Sequence, residues 1–168
     1  MPAEPSRHHP VPLILEEYFA DETRAWGVFE DRFGTPRAQF EVDTKGVWDG
    51  ETLTLKEHFV YSTGRTDDRT WTIRRLGGGC YRGEADDVIG AAMGASDGNA
   101  FVWRYVMDLP FAGRSVRVRL SDQLLLQSND VLIHRARVSK LGVELGRLSM
   151  FFVKKRAFQC DPTNPAGR

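Results

Sequence analysis

The sequence lacks the features that identify membrane, secreted and metal-binding proteins. No segment approaches the ~20 consecutive apolar residues of a membrane-spanning helix, and the N-terminus lacks the apolar stretch, about 7–15 residues long, of a signal peptide. The two cysteines, Cys80 and Cys160, have no C-x-x-C spacing, so we expect unpaired thiols rather than a disulfide framework or a zinc site. We therefore expect a cytoplasmic protein, or an envelope protein if a leader has been removed.

The sequence also lacks an excess of charge of either sign. Lys plus Arg and Asp plus Glu are each 23, and the formal net charge is zero. This balance argues against nucleic acid as a partner. It gives little protection against self-association near neutral pH, so a homodimer stays open. With 41% hydrophobic and 11% aromatic residues, the 168-residue chain can build the core of one domain.

Motifs for cofactor and nucleophile chemistry are absent too. There is no Gly-x-Ser-x-Gly elbow, no phosphate-binding Gly-Lys-Ser/Thr loop and no dinucleotide fingerprint. The glycines at 77–79 indicate a turn, because no helical pattern follows them. We expect no cofactor and no metal, and these absences favour a binding protein over an enzyme.

What the sequence contains is alternation of apolar and polar residues, as a half-buried antiparallel strand requires. Between about Ala38 and Val153 no amphipathic helix intervenes, and hairpin-length turns separate the strands. So many strands must close on themselves to remove their edges. The sequence predicts an all-β fold, a single antiparallel up-and-down barrel of about eight to ten strands, with a short N-terminal helix near residues 12–20 closing one end. The clearest alternating sets are Leu53, Leu55, Phe59 and Tyr61; Phe101, Trp103, Tyr105 and Met107; and Val116, Val118, Leu120, Leu124 and Leu126.

Composition also sets the expected domain limits. Residues 1–11 and 159–168 are rich in proline and polar residues, which predicts a disordered arm and a disordered tail. Residues 12–158 are expected to form the barrel domain. Within it, Ser62 to Asp68 is interpreted as a loop and Thr70 to Leu76 as the fourth strand.

Several motifs resemble those of one protein family. They are Arg24-Ala25-Trp26-Gly27, Phe29-Glu30-Asp31-Arg32-Phe33-Gly34, Trp48-Asp49-Gly50, Trp103-Arg104-Tyr105 and Val138-Ser139-Lys140. They resemble the uncharacterised bacterial family known as domain of unknown function 3833, over about Leu15 to Lys154. The resemblance implies a lipocalin-like (calycin) barrel, and it supplies no established activity and no catalytic residues. Members of the family often carry a lipoprotein leader; because no Cys lies near the start of this sequence, we expect no such leader here.

The hairpin near residue 130 has the most interpretable register. A three-residue loop at 128–130 would place Leu124 opposite His134, and Asp122 diagonal to His134 on the same inward face. Such a pair could anchor a polar head group, act as acid and base, or form a structural hydrogen bond. A four-residue loop would change the parity and remove the pair.

Other charged residues give two further candidate sites. Glu57 interrupts an apolar face and needs a partner when buried, so we expect an ion pair with Arg75, either inside the barrel or at its mouth. The opposite face of the hairpin is rich in arginine, which indicates a solvated surface or a dock for an acidic partner or an anionic membrane surface. If inside and outside are reversed, two of these arginines would instead clamp a carboxylate inside the barrel. The four arginines are Arg117, Arg119, Arg135 and Arg137, of which Arg135 and Arg137 are the two clamps.

Aromatic residues dominate the expected interior, opposite a strand of small residues at 90–95. This contrast indicates a filled core, a sharp bend or an apolar cavity. We favour a barrel that binds an apolar or amphipathic small molecule, such as a fatty-acyl or other lipid-like species. The alternatives are a small isomerase or hydrolase that acts on such a ligand through Asp122 and His134, and a protein-interaction module that uses the arginine-rich face. The side chains expected to contact the ligand are Trp48, Glu57, Phe59, Tyr61, Trp71, Arg75, Trp103, Tyr105, Asp122 and His134.

Overall fold

A computed structural model describes residues 11–111, 113–127 and 130–155 of the chain. Apart from Val11, the predicted arm lies outside the described residues, as do the predicted tail and Cys160. Cys80 is a free, exposed thiol, as expected.

Ten antiparallel strands close into a barrel in which each strand pairs with the next along the chain, and β1 pairs with β10. A short helix precedes the first strand. The prediction of an up-and-down barrel with a short N-terminal helix is confirmed. The elements are α1 (Leu15–Phe19), β1 (Asp21–Asp31), β2 (Pro36–Trp48), β3 (Thr52–Tyr61), β4 (Thr66–Gly77), β5 (Cys80–Glu84), β6 (Val88–Asp97), β7 (Ala100–Phe111), β8 (Arg114–Leu126), β9 (Val131–Lys140) and β10 (Val143–Lys154).

Alternation along each strand sorts the side chains between interior and solvent. On β8, Val118 and Leu120 are buried, whereas Arg117 and Arg119 between and before them are exposed. The interpretation that would turn Arg135 and Arg137 inward is therefore wrong, because both are exposed on β9. The register predicted for this hairpin is confirmed, since Leu124 pairs with His134 and Asp122 with Ala136.

The helix α1 closes one end of the barrel with apolar side chains and a few long-range polar contacts. Tyr18 and Phe19 are buried, and the Phe19 ring meets the edge of Phe152 at a centroid distance of 5.6 Å. The Tyr18 hydroxyl donates a hydrogen bond to the backbone carbonyl of Asp130 at 2.9 Å. The buried Glu16 carboxylate accepts hydrogen bonds from Arg75 at 2.9 Å and from Tyr81 at 2.8 Å. These contacts attach the helix to β4, β5 and the turn before β9.

Glycines let the large aromatic side chains approach the barrel wall. A Cβ atom on Gly83 would lie 2.5 Å from Cζ3 of Trp103, and one on Gly94 would lie 2.5 Å from the Trp103 Cβ. Real atoms do not approach this closely, so only glycine fits beneath the indole. The small residues around 90–95 thus accommodate Trp103 in part, rather than leaving that space empty. In the described part of the chain, no helix has the length and apolarity that a membrane span requires.

Candidate ligand-binding site

The barrel encloses a cavity of about 1060 Å³ that extends from α1 to the opposite end. Leu15 and Phe19 of the helix region line its closed end. Arg37, Arg65 and Lys140 line the other end, where all three residues are exposed, so the cavity reaches solvent there. We call this end, with the turns at 32–35, 62–65, 85–87 and 141–142, the open end. The volume lies at the upper limit of common small-molecule pockets.

The cavity walls are mainly apolar, but their packing differs along the barrel. Near α1 the lining side chains are almost fully buried, such as Phe101 and Phe152. Toward the open end some lining side chains, such as Met107 and Val118, are also buried, but other apolar ones are only partly buried. These partly buried lining residues are Phe29, Phe59, Tyr61, Leu109, Val116 and Leu148.

Five polar side chains from five strands converge midway along the cavity. We call Glu57, Arg69, Tyr105, Asp122 and His134 the polar cluster. Each residue sits at an inward position of its strand, because the alternation of β3, β4, β7, β8 and β9 turns it away from solvent. The cluster therefore separates the half of the interior near α1 from the half toward the open end, where the partly buried lining side chains lie.

Arg69 is the cation of the cluster, and acidic side chains hold it on two sides. Its Nη2 donates to Oδ2 of Asp87 at 2.7 Å, and its Nε donates to Oδ1 of the same carboxylate at 3.2 Å. Its Nη1 lies 3.8 Å from Oε2 of Glu57. Burial lowers the pKa of Arg69, but Glu57 and Asp87 together raise it above its ordinary value. The guanidinium therefore stays charged and is committed mainly to Asp87.

Glu57 interacts with Arg69 more weakly than Asp87 does. Burial raises the pKa of the Glu57 carboxyl above its ordinary value, and the nearby charges of Arg69 and His134 offset only part of that effect. Desolvation is the dominant cause because a buried carboxylate loses its hydration without gaining a close cation. Glu57 can therefore take up a proton in the folded protein at a pH at which an exposed glutamate would be ionised.

Tyr105, Asp122 and His134 form the second part of the cluster. The Tyr105 hydroxyl donates a hydrogen bond to Oδ2 of Asp122 at 3.0 Å. Burial, and then the negative charge of Asp122, raises the pKa of Tyr105 well above its ordinary value, so the phenol keeps its proton. Nε2 of His134 lies 3.1 Å from the same Asp122 oxygen but outside hydrogen-bonding geometry.

One oxygen and one nitrogen of these three residues have no hydrogen-bond partner among the described residues. Asp122 is only 3% exposed, and its Oδ1 finds no hydrogen-bond partner among the residues that the structure describes. The same is true of the His134 Nε2. Buried polar atoms are nearly always paired in folded proteins, so an unpaired one calls for a specific explanation.

Most of the predicted ligand contacts line the cavity. Two do not, and both lie toward the α1 end. Trp48 is partly buried against the core near the end of β2, and Arg75 has a side chain that is 52% exposed and pairs with Glu16. Their ligand-binding role stays a prediction without support from the cavity. The predicted residues that do line it are Glu57, Phe59, Tyr61, Trp71, Trp103, Tyr105, Asp122 and His134.

The predicted ion pair between Glu57 and Arg75 is wrong. The register of β3 with β4 places Glu57 opposite Arg69, and Arg75 lies three inward positions farther along β4. Arg69 was missed because the polar sequence just before it suggests a loop, and Asp87 was missed because no local pattern links it to Arg69. The signal that could have found Arg69 is the short turn at 62–65, since a tight hairpin fixes which residues face each other.

Two of the four arginines on the arginine-rich outer face pair with acidic neighbours. Arg117 pairs with Asp108 at 2.9 Å, and Arg137 pairs with Glu144 at 3.1 Å. All four predicted arginines are exposed. A dock for an acidic partner stays a prediction.

Together, the closed barrel and its internal cavity define the class of this protein as a β-barrel whose interior is compatible with ligand binding. The comparison with protein families places it further. The family described as protein of unknown function (DUF3833) matches residues 3–154, so the chain belongs to this family. No curated protein matches the chain. Across the described ranges, no group of three or more His, Cys, Asp or Glu side chains is arranged to hold a metal ion.

Proposed function

We propose that the protein binds an apolar or amphipathic small molecule, such as a lipid-like species, inside the barrel. The observation that carries the proposal is the cavity of about 1060 Å³, whose walls are mainly apolar and which reaches solvent at one end. The lipocalin-like resemblance of the sequence agrees with this role, although a fold by itself does not define a function.

The energetic argument rests on the partly buried side chains near the open end. Phe59, Tyr61 and Leu148 keep part of their apolar surface accessible inside the cavity. Covering such surface contributes roughly 25 cal/mol per Å² of apolar area removed from water. A ligand with an apolar portion would supply that cover, and the walls would lose little conformational freedom because the closed sheet already holds them.

The experiment measures binding of Nile red, a neutral dye whose fluorescence rises in apolar surroundings. We expect wild type to bind the dye with a micromolar dissociation constant. Val116→Trp should weaken binding at least tenfold, because Val116 lines the cavity and a larger side chain would narrow it near the open end. Val102→Trp is the matched control, since Val102 lies on the outer face of the barrel and is 47% exposed.

Two results would contradict the proposal. One is an absence of Nile red binding to folded wild-type protein. The other is equal binding by Val116→Trp and Val102→Trp, which would place the dye on the outer surface.

A second candidate is an enzyme that acts on the same kind of ligand. The observation that favours it is the contact of Tyr105, Asp122 and His134 within one cavity wall, because these groups can exchange protons with a bound molecule. His134→Gln separates the two functions. An enzyme would lose turnover of a lipid-like ester or isomerisable substrate in this variant while keeping Nile red binding, whereas a binding protein would show no turnover in either form.

A further inference from the structure

We propose that the ligand carries a head group that donates hydrogen bonds, a protonated amine in preference to a hydroxyl. This head group binds at Asp122, and the apolar part of the ligand points toward the open end. This inference rests on the proposed binding function and names the chemistry of the ligand at that site.

Among the described residues, one carboxylate oxygen of Asp122 has no hydrogen-bond partner. Oδ2 of Asp122 already receives the hydrogen bond from Tyr105, whereas Oδ1 is free of any partner in the described part of the protein. Asp122 lines the cavity, and it is almost completely removed from solvent. A carboxylate oxygen accepts hydrogen bonds and donates none when ionised. The group that completes this site is therefore a donor.

The charged groups of the polar cluster do not favour an anionic head group. Glu57, Asp87 and Asp122 supply three carboxyl groups to this part of the cavity, whereas Arg69 and His134 supply two basic groups. No excess of positive charge is therefore left to bind an anionic head group. Because the interior is poorly screened, the Asp122 carboxylate attracts a cation. An ammonium group, with three donors and a positive charge, suits the site better than a neutral hydroxyl.

Arg69 is not available as a receptor for a ligand carboxylate. Its guanidinium makes three hydrogen bonds to Asp87, at 2.7, 3.0 and 3.2 Å, and faces Glu57 with Nη1. A ligand carboxylate would have to displace Asp87 from the guanidinium. Such displacement is unfavourable because it would break three charge-assisted hydrogen bonds.

The orientation follows from the difference between the two halves of the cavity. Near α1 the lining side chains, such as Phe101 and Phe152, are almost fully buried, so they expose little surface for a tail to cover. The half toward the open end presents the partly buried Phe29, Phe59 and Leu109. An amphipathic molecule whose head lies at Asp122 would place its apolar part against these walls.

The opposite orientation has its own receptor at the rim. Arg65 and Lys140 are exposed there and line the cavity mouth. A carboxylate ligand could contact them with its tail pointing inward. This arrangement predicts dependence on Lys140 and not on Asp122, which makes the two orientations separable by substitution.

The experiment compares decylamine, decanol and decanoate, which share a ten-carbon chain and differ in the head group. Each competes with Nile red at pH 7 for wild type, Asp122→Asn, Lys140→Gln and Asp108→Asn. Asp108→Asn is the matched control, because Asp108 is an outer-face aspartate paired with Arg117. We expect the amine to displace Nile red best, decanol next, and decanoate at least tenfold more weakly than the amine. Asp122→Asn should weaken the amine at least tenfold, while Nile red binding changes less than twofold and Asp108→Asn behaves as wild type.

Several outcomes would overturn the assignment of an amine head group to Asp122, and each shows whether the proposed binding function fails with it. Decanoate that binds as tightly as the amine, or that is weakened by Lys140→Gln, would assign the head group to the rim and keep the binding function. Amine binding that is unchanged in Asp122→Asn would remove Asp122 as the receptor. If Nile red binds but none of the three competitors displaces it, the inference fails alone. If Nile red itself does not bind, the proposed function fails with it.

Discussion

Replacing Glu57 by glutamine tests the electrostatics of the cavity through the pH dependence of stability. Glu57 lies in the barrel interior with 12% of its side chain exposed, and burial raises its pKa. In the unfolded chain the carboxyl returns to its ordinary value. Between the two pKa values the folded state therefore binds a proton that the unfolded state releases. The stability contributed by protonated Glu57 is complete below the unfolded pKa and is lost as pH rises through the folded pKa.

The magnitude follows from the linkage of one proton to folding. Within the window between the two pKa values, the free energy of unfolding should fall by about 1.4 kcal/mol per pH unit because of Glu57. Glu57→Gln keeps the shape and removes the titration. Arg69 keeps its 2.7 Å contact with Asp87 in the variant, so the guanidinium is not left without a partner. The stability of wild type relative to the variant should therefore decrease with pH across the window and be constant outside it.

Urea unfolding monitored by tryptophan fluorescence, repeated from pH 4 to pH 8, measures this difference. Glu51→Gln is the matched control, because Glu51 also lies 3.8 Å from an arginine but is 74% exposed. Its difference from wild type should show no such decrease with pH. A difference between wild type and Glu57→Gln that is constant, or that rises with pH, would refute the reasoning. A rise would mean that Arg69 holds Glu57 as a stabilised anion, and a constant difference would mean that folding does not change the Glu57 pKa.

Two further predictions concern packing and the closure of the barrel. Gly83→Ala should lower the free energy of unfolding by about 1–3 kcal/mol, because the new Cβ would meet the Trp103 indole, and adding Trp103→Phe should recover part of that loss. A change below about 0.5 kcal/mol in urea unfolding would contradict this account. Arg75→Gln should cost about 1–3 kcal/mol, because it removes one of the two hydrogen-bond donors to the buried Glu16, whereas the exposed neighbour Arg74→Gln should change stability by less than about 0.5 kcal/mol. Equal effects of the two arginine variants would show that the Glu16 contact does not secure the helix.

The barrel could be predicted from the sequence because strand alternation and turn residues are local signals. Asp49-Gly50 and Ser96-Asp97-Gly98-Asn99 mark hairpins that the structure contains, with positive φ at Gly50 and Gly98. The position of the Asp122 and His134 pair was predictable for the same reason. A three-residue connection fixed the register of β8 with β9, and the alternation then fixed which side chains face inward.

The rest of the site could not be predicted because it depends on contacts between distant strands. The sequence from Ser62 to Asp68 is polar and was interpreted as a loop, but β4 begins at Thr66 and carries Arg69 into the interior. Asp87, which holds Arg69, lies in a turn after β5. No local pattern links these residues to Glu57. The closed ring of strands brings them together, and its size and stagger are tertiary properties.

The cavity is best understood by comparing what the two halves of the barrel contribute to stability. Near α1, side chains such as Leu53, Phe101 and Leu132 are fully buried, so the sequence can pack the barrel interior with apolar side chains. Beyond the polar cluster several wall side chains remain partly accessible, and the cluster itself contains a carboxylate oxygen without a hydrogen-bond partner among the described residues. Replacing buried ionic groups by well-packed apolar ones is often neutral or stabilising, so the fold does not require this arrangement. The partly accessible walls and the free acceptor at their base are therefore features that folding leaves unexplained and that the proposed ligand binding would account for.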